Sequence, residues 1–70
     1  MNDTNPNISQ RIKSIRQRHR LTQIEFASRI GTTKPIISAI ESGKLRCGDE
    51  MLEKICETFD VKRNWLDTGK

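Results

Sequence analysis

The sequence predicts an all-α domain, on three observations. Apolar residues recur at helical spacing, most clearly Ile8, Ile12 and Ile15 at i, i+4 and i+7. Residues 22–43 hold two helix-length segments separated by Gly31, the first opened by a capping pattern. No stretch reads as a strand, and no segment repeats another. A chain of 70 residues makes one domain at most, burying about 60% of its unfolded surface.

Residues 1–7, with Asn2, Asp3, Asn5 and Pro6, read as a flexible tail, and residues 8–70 as the domain. The first helix spans roughly 8–19, and its apolar stripe runs among Arg11, Lys13, Arg16 and Arg18. The second opens at Thr22, which forms a capping box with Glu25 three residues on, while Leu21 is placed to staple onto Phe26. Ile24, Phe26, Ala27 and Ile30 are its candidate apolar contacts. Gly31 ends it, because the turn there needs a residue with no side-chain penalty.

The third helix runs from near Thr33 to near Glu41, with Ser42 and Gly43 as its stop. Thr32 or Thr33 can cap it. Pro35 is tolerated in a first turn, where backbone N–H groups have no helical partner, yet it discourages helical geometry at Lys34. Lys44 to Gly48 reads as a basic loop. A fourth helix spans about 49–59, with Asp49 and Glu50 favourable at its positive end and Leu52, Ile55, Cys56 and Phe59 inward. A last short helix around 63–67 carries Trp65 and Leu66 as a lid on the core.

Lys and Arg outnumber Asp and Glu by 13 to 9, a net charge of +4. The excess lies in residues 1–46, where nine Lys/Arg face three acids; residues 47–70 hold four against six. Such asymmetry suits one face to a polyanion and another to solvent or a partner. No apolar run approaches the roughly 20 residues of a membrane span, and no signal-peptide pattern is present. The basic first helix is short and lacks the aromatics of a membrane-surface helix. A cytoplasmic location without a membrane partner is the expectation.

Cys47 and Cys56 form no Cys-x-x-Cys pair, and His19 is the one histidine, so a tetrahedral zinc site lacks ligands. Cys56 falls on the apolar stripe of the fourth helix and is expected to pack as a small hydrophobe. Neither a nucleophile–base pair nor a phosphate-cradling glycine loop is present, which argues against an enzyme. No metal, cofactor or small-molecule ligand is expected.

Residues 22–43 carry most of the functional signal. Ile37 and Ile40 are three apart and face inward, while Lys34, Pro35, Ser38 and Ala39 lie toward the other side. A packed helix with a small, polar and basic outer face suits a DNA groove. With small Ala27, Gly31 four residues later, and Ile37 and Ile40 beyond, residues 8–69 resemble the DNA-binding domains of the lambdoid phage repressors and Cro proteins. Arg16 and Glu41 match a basic–acidic pair that links the first and third helices of those repressors. The closing Asn-Trp-Leu-Asp-Thr-Gly looks like the final helix and exit of the same domain.

The resemblance implies a compact five-helix lambda-repressor-like fold, with the helix-turn-helix at helices 2 and 3 and helix 3 in the major groove. Its base-reading positions fall on Thr33, Lys34, Pro35, Ser38 and Ala39. Lys34 can donate to guanine O6 and N7, whereas Pro35 and Ala39 can only touch a thymine methyl or leave room for one. Repressors with glutamines at those positions differ here, so base preference does not carry over. Phosphate contacts are implied at Gln23, Ser42, Gly43, Lys44 and Arg46, with Thr33 a further candidate at the groove edge. Asp49 and Glu50 depart from the family, which often turns basic or neutral residues toward the DNA backbone there. Arg16 and Glu41 are expected to be structural, setting the angle between helices 1 and 3.

The function so implied is sequence-specific binding of double-stranded DNA by a transcriptional regulator, most simply a phage or bacterial repressor. A homodimer on a palindromic operator, with half-sites about 34 Å apart, would multiply the affinity of one small domain. The alternative is a protein-interaction module such as an antitoxin or antirepressor, with the acidic 47–70 half and Ile36 as its contact surface.

Overall fold

The computed structural model describes residues 7–70, so the tail reading of residues 1–6 lies outside the described residues. Five helices follow in order: α1 (Ile8–Arg18), α2 (Gln23–Ile30), α3 (Lys34–Glu41), α4 (Asp49–Phe59) and α5 (Arg63–Thr68). No strand occurs among the described residues. Asn7, assigned to the tail by sequence, is instead the N-cap of α1, its Oδ1 accepting the Gln10 N–H at 2.9 Å. That bond satisfies one of the donors a helix start leaves open.

The capping box at α2 closes in both directions. Glu25 N–H donates to Thr22 Oγ1 at 3.1 Å, and Thr22 N–H donates to Glu25 Oε1 at 2.8 Å. At the other end Gly31 takes φ +77°, letting the Thr32 N–H reach Ala27 O at 2.9 Å and its own N–H reach Ser28 O. A Cβ at Gly31 would meet nothing within 4 Å, so the left-handed backbone alone demands glycine here. α3 then starts at Lys34, with Thr33 in the N-cap geometry but making no side-chain capping bond. Pro35 does not hold Lys34 out of the helix, since its ring occupies a first-turn position where no N–H is required.

One core joins the helices: Ile12 and Ile15 from α1, Phe26, Ala27 and Ile30 from α2, Ile37 and Ile40 from α3, four residues of α4, and Leu66. Cys56 packs within it. Phe26 stacks on Phe59 with ring centroids 5.0 Å apart, and His19 lies against the same Phe59 at 4.9 Å. Ile24 corrects the expected apolar set. It is 62% exposed, because Phe26, Ala27 and Ile30 already define the buried face of this two-turn helix. Leu66 is fully buried, whereas Trp65 is only half-buried, with the Arg18 guanidinium 5.4 Å from its ring centre.

Arg11 is buried rather than part of a basic face. Its Nε donates to Leu66 O at 2.8 Å and its Nη2 to Asp67 O at 3.0 Å, closing carbonyls that the end of α5 leaves without helical partners. The two flanks of α1 therefore do different work. Arg11 and Arg18 face α5, while Arg16 faces α3 and the α1–α2 turn.

Candidate nucleic-acid interface

The turn at Gly31 and the burial of Ile37 and Ile40 fix which side of α3 is presented. Lys34, Pro35 and Ile36 in its first turn are exposed, as is Thr33 before them. Ser38 and Ala39 are half-buried, a smaller contribution to the outer face than their sequence positions suggest. Ala39 O accepts the Lys44 N–H at 2.9 Å, the Leu45 N–H at 3.1 Å and the Ser42 hydroxyl at 3.1 Å, so residues 42–45 fold back over the end of the helix. What α3 offers a groove is chiefly its N-terminal turn.

The same fold-back places Ser42, Gly43, Lys44 and Arg46 together beside the C-terminal end of α3, all exposed. Gly43 takes φ +83° to make the bend. Among the described residues, Lys34, Lys44 and Arg46 form no ion pair, so their charge is available to an anion.

Behind this surface lies a polar node built from three helices. Arg16 Nε donates to Glu41 Oε2 at 2.7 Å and its Nη2 to Glu41 Oε1 at 3.1 Å, a two-pronged pair whose side chains are only 15% and 4% exposed. Arg16 Nη1 also donates to Leu21 O at 3.0 Å, tying in the α1–α2 turn. Gln23 completes the node, its Nε2 donating to Glu41 Oε1 at 3.1 Å. Such a planar fork is what a guanidinium offers a carboxylate, and here every prong has a partner. Gln23, a candidate phosphate contact by sequence, is therefore half-buried and engaged on one side.

The acids at the start of α4 have a partner that sequence reasoning missed. Arg63 donates to Asp49 Oδ1 at 2.8 Å, Glu53 Oε2 at 2.7 Å and Asp67 Oδ1 at 3.0 Å. Hydrogen bonds to Asp67 and Asp49 raise its already high pKa, so it stays cationic throughout the accessible pH range. Asp49 is thereby partly neutralised, while Glu50 remains exposed and makes no ion pair. The i, i+4 spacing of Arg63 and Asp67 was the one readable signal for this cluster. Beside it, burial pushes the thiol of half-buried Cys47 up to about 11, with the Arg63 charge acting the other way.

No group of three or more His, Cys, Asp or Glu among the described residues is arranged to hold a metal ion. No helix there is long and apolar enough to cross a membrane.

Comparisons with known proteins agree with this architecture. The helix-turn-helix family profile matches residues 12–66. Antitoxin PezA of Streptococcus pneumoniae serotype 4 is 39% identical over 54 residues, which are 77% of this chain and 34% of PezA. The chain thus spans about a third of the length of that relative. Among solved structures, the P22 c2 repressor in complex with a synthetic operator superposes with a TM-score of 0.85 at 18% identity, over 94% of this chain and all of that one. The solution structure of the P22 c2 DNA-binding domain gives 0.81 at 17% identity, over 91% of this chain and 84% of that one. These two likenesses establish the five-helix repressor-like fold.

Proposed function

This chain belongs to the Cro/C1-type helix-turn-helix family, and from that premise we propose that it binds specific sites on double-stranded DNA as a transcriptional repressor. The first turn of α3 enters the major groove, with Lys34 donating to guanine and Thr33, Pro35, Ser38 and Ala39 shaping the contact. Gln23, Ser42, Gly43, Lys44 and Arg46 hold the phosphates on either side. The observation that carries this reading is the exposed first turn of α3, which bears the unpaired Lys34, together with the unpaired Lys44 and Arg46 beside the helix's other end. That the P22 c2 repressor of the same fold was solved on an operator supports it.

One domain neutralises few phosphates, so a homodimer on a palindromic site is the form that supplies useful affinity. Selection of bound sites from a random DNA pool tests the reading. A recurring half-site, paired at about one helical turn, is the expected result. Recovery of no preferred sequence, with equal binding to every duplex, contradicts it.

A second reading draws on the identity with an antitoxin. In that reading the chain is a protein-interaction module such as an antitoxin or antirepressor, its partner met by the acidic 47–70 half and exposed Ile36. A stoichiometric protein partner together with no gel shift on DNA from its own upstream region would favour it.

A further inference from the structure

We infer that Glu41 is a positioning residue for Gln23, setting which atoms of its amide face the DNA backbone, and so couples the end of α3 to the phosphate contact at α2. The inference rests on the DNA-binding reading above and adds a role for a residue that touches no DNA. A carboxylate only accepts hydrogen bonds, so the amide of Gln23 must turn its nitrogen toward Glu41 Oε1, 3.1 Å away. Glu41 cannot yield, because Arg16 holds both of its oxygens and its side chain is 4% exposed.

The amide therefore has one rather than two orientations before any ligand arrives. Among the described residues its second N–H has no acceptor, and Gln23 opens α2, whose first turn leaves the backbone N–H groups of Gln23 and Ile24 without helical acceptors. Donors on the first residue of a helix suit a phosphate oxygen. An amide free to rotate would present its carbonyl oxygen to the phosphate in part of its population. Fixing the nitrogen removes that repulsive state and the rotamer entropy of ordering it on binding.

A double-mutant cycle separates this role from simple support of the fold. Gln23→Ala, Glu41→Asp and the double variant are titrated against the duplex the wild type selects and against a random duplex, at a temperature where circular dichroism shows all four folded. Glu41→Asp keeps the negative charge but draws the carboxylate back by one methylene from both Arg16 and Gln23, so any loss through the Arg16 brace appears on top of Gln23→Ala rather than within it. Each single variant is expected to weaken binding by about three- to tenfold, equally on both duplexes, because a phosphate contact carries no sequence information. The double variant is expected to be no weaker than Gln23→Ala alone.

Losses that multiply in the double variant would overturn the positioning role, since a purely structural Glu41 acts whether or not Gln23 is present. Full affinity in either single variant, or a loss confined to the selected duplex, would overturn it as well. A wild-type protein that binds neither duplex would overturn the DNA-binding reading itself, and this inference with it.

Discussion

Replacing Glu41 by alanine tests how the helix-turn-helix is braced. The change leaves Arg16 with its Nε and Nη2 unpartnered and only the Leu21 carbonyl still held, at a side chain 15% exposed. Breaking a buried pair by removing one partner costs about 3–5 kcal/mol. The surviving Leu21 bond and the partial exposure of Arg16 put the expected loss at the lower end, about 3 kcal/mol. Lys34 is exposed and unpaired, so Lys34→Ala should change stability by less than about 0.5 kcal/mol. For a domain this small each kcal/mol moves the melting temperature by roughly 4–8 °C. Thermal unfolding followed by circular dichroism, started near 5 °C, should then separate Glu41→Ala from Lys34→Ala by more than about 10 °C. Equal melting temperatures for the two variants would refute the bracing role of the pair.

Three further outcomes are expected. Asn7→Ala should lower stability by about 1 kcal/mol in a urea titration, because it removes the one side-chain cap of α1. Lys44→Ala should weaken binding to all duplexes alike and flatten the plot of log affinity against log salt by about 0.9 per protomer, with the selected sequence unchanged. The raised pKa of Cys47, about 11, fixes the sign of an alkaline effect: between pH 9 and 11 the unfolded thiol loses its proton first, so stability falls as pH rises. Urea midpoints at pH 8 and pH 10.5 should show that fall, and Cys47→Ser should reduce it.

The parts of the fold written in local spacing were the parts legible in the sequence. The α1 stripe, the Thr22–Glu25 box, the Gly31 turn and the inward face of α4 each depend on residues within a few positions of one another. Contacts made across the chain were not legible in the same way. Arg11 meets Leu66 from 55 residues away and Asp49 meets Arg63 from 14, and nothing in their local sequence distinguishes them from solvated charges. Ile24 looked like a core residue because its type suggested burial, yet helix phase places it outside. Arg16 and Glu41, 25 residues apart, were paired through family resemblance rather than through any spacing rule. For the candidate interface, sequence proposed the residues, and only the folded arrangement shows that Ser38 and Ala39 are less available than Lys34 and Pro35.

In the proposed function the first turn of α3 reads DNA bases, with Lys34 as its main polar reader. Competition titrations of the wild type and Lys34→Ala, on the selected duplex and on a scrambled one at about 0.15 M salt, test it most directly. The wild type should prefer the selected duplex by roughly a thousandfold or more. Lys34→Ala should lose about five- to a hundredfold of that preference while keeping most of its affinity for the scrambled duplex. An unchanged preference in the variant, or no preference in the wild type, would contradict base reading by Lys34.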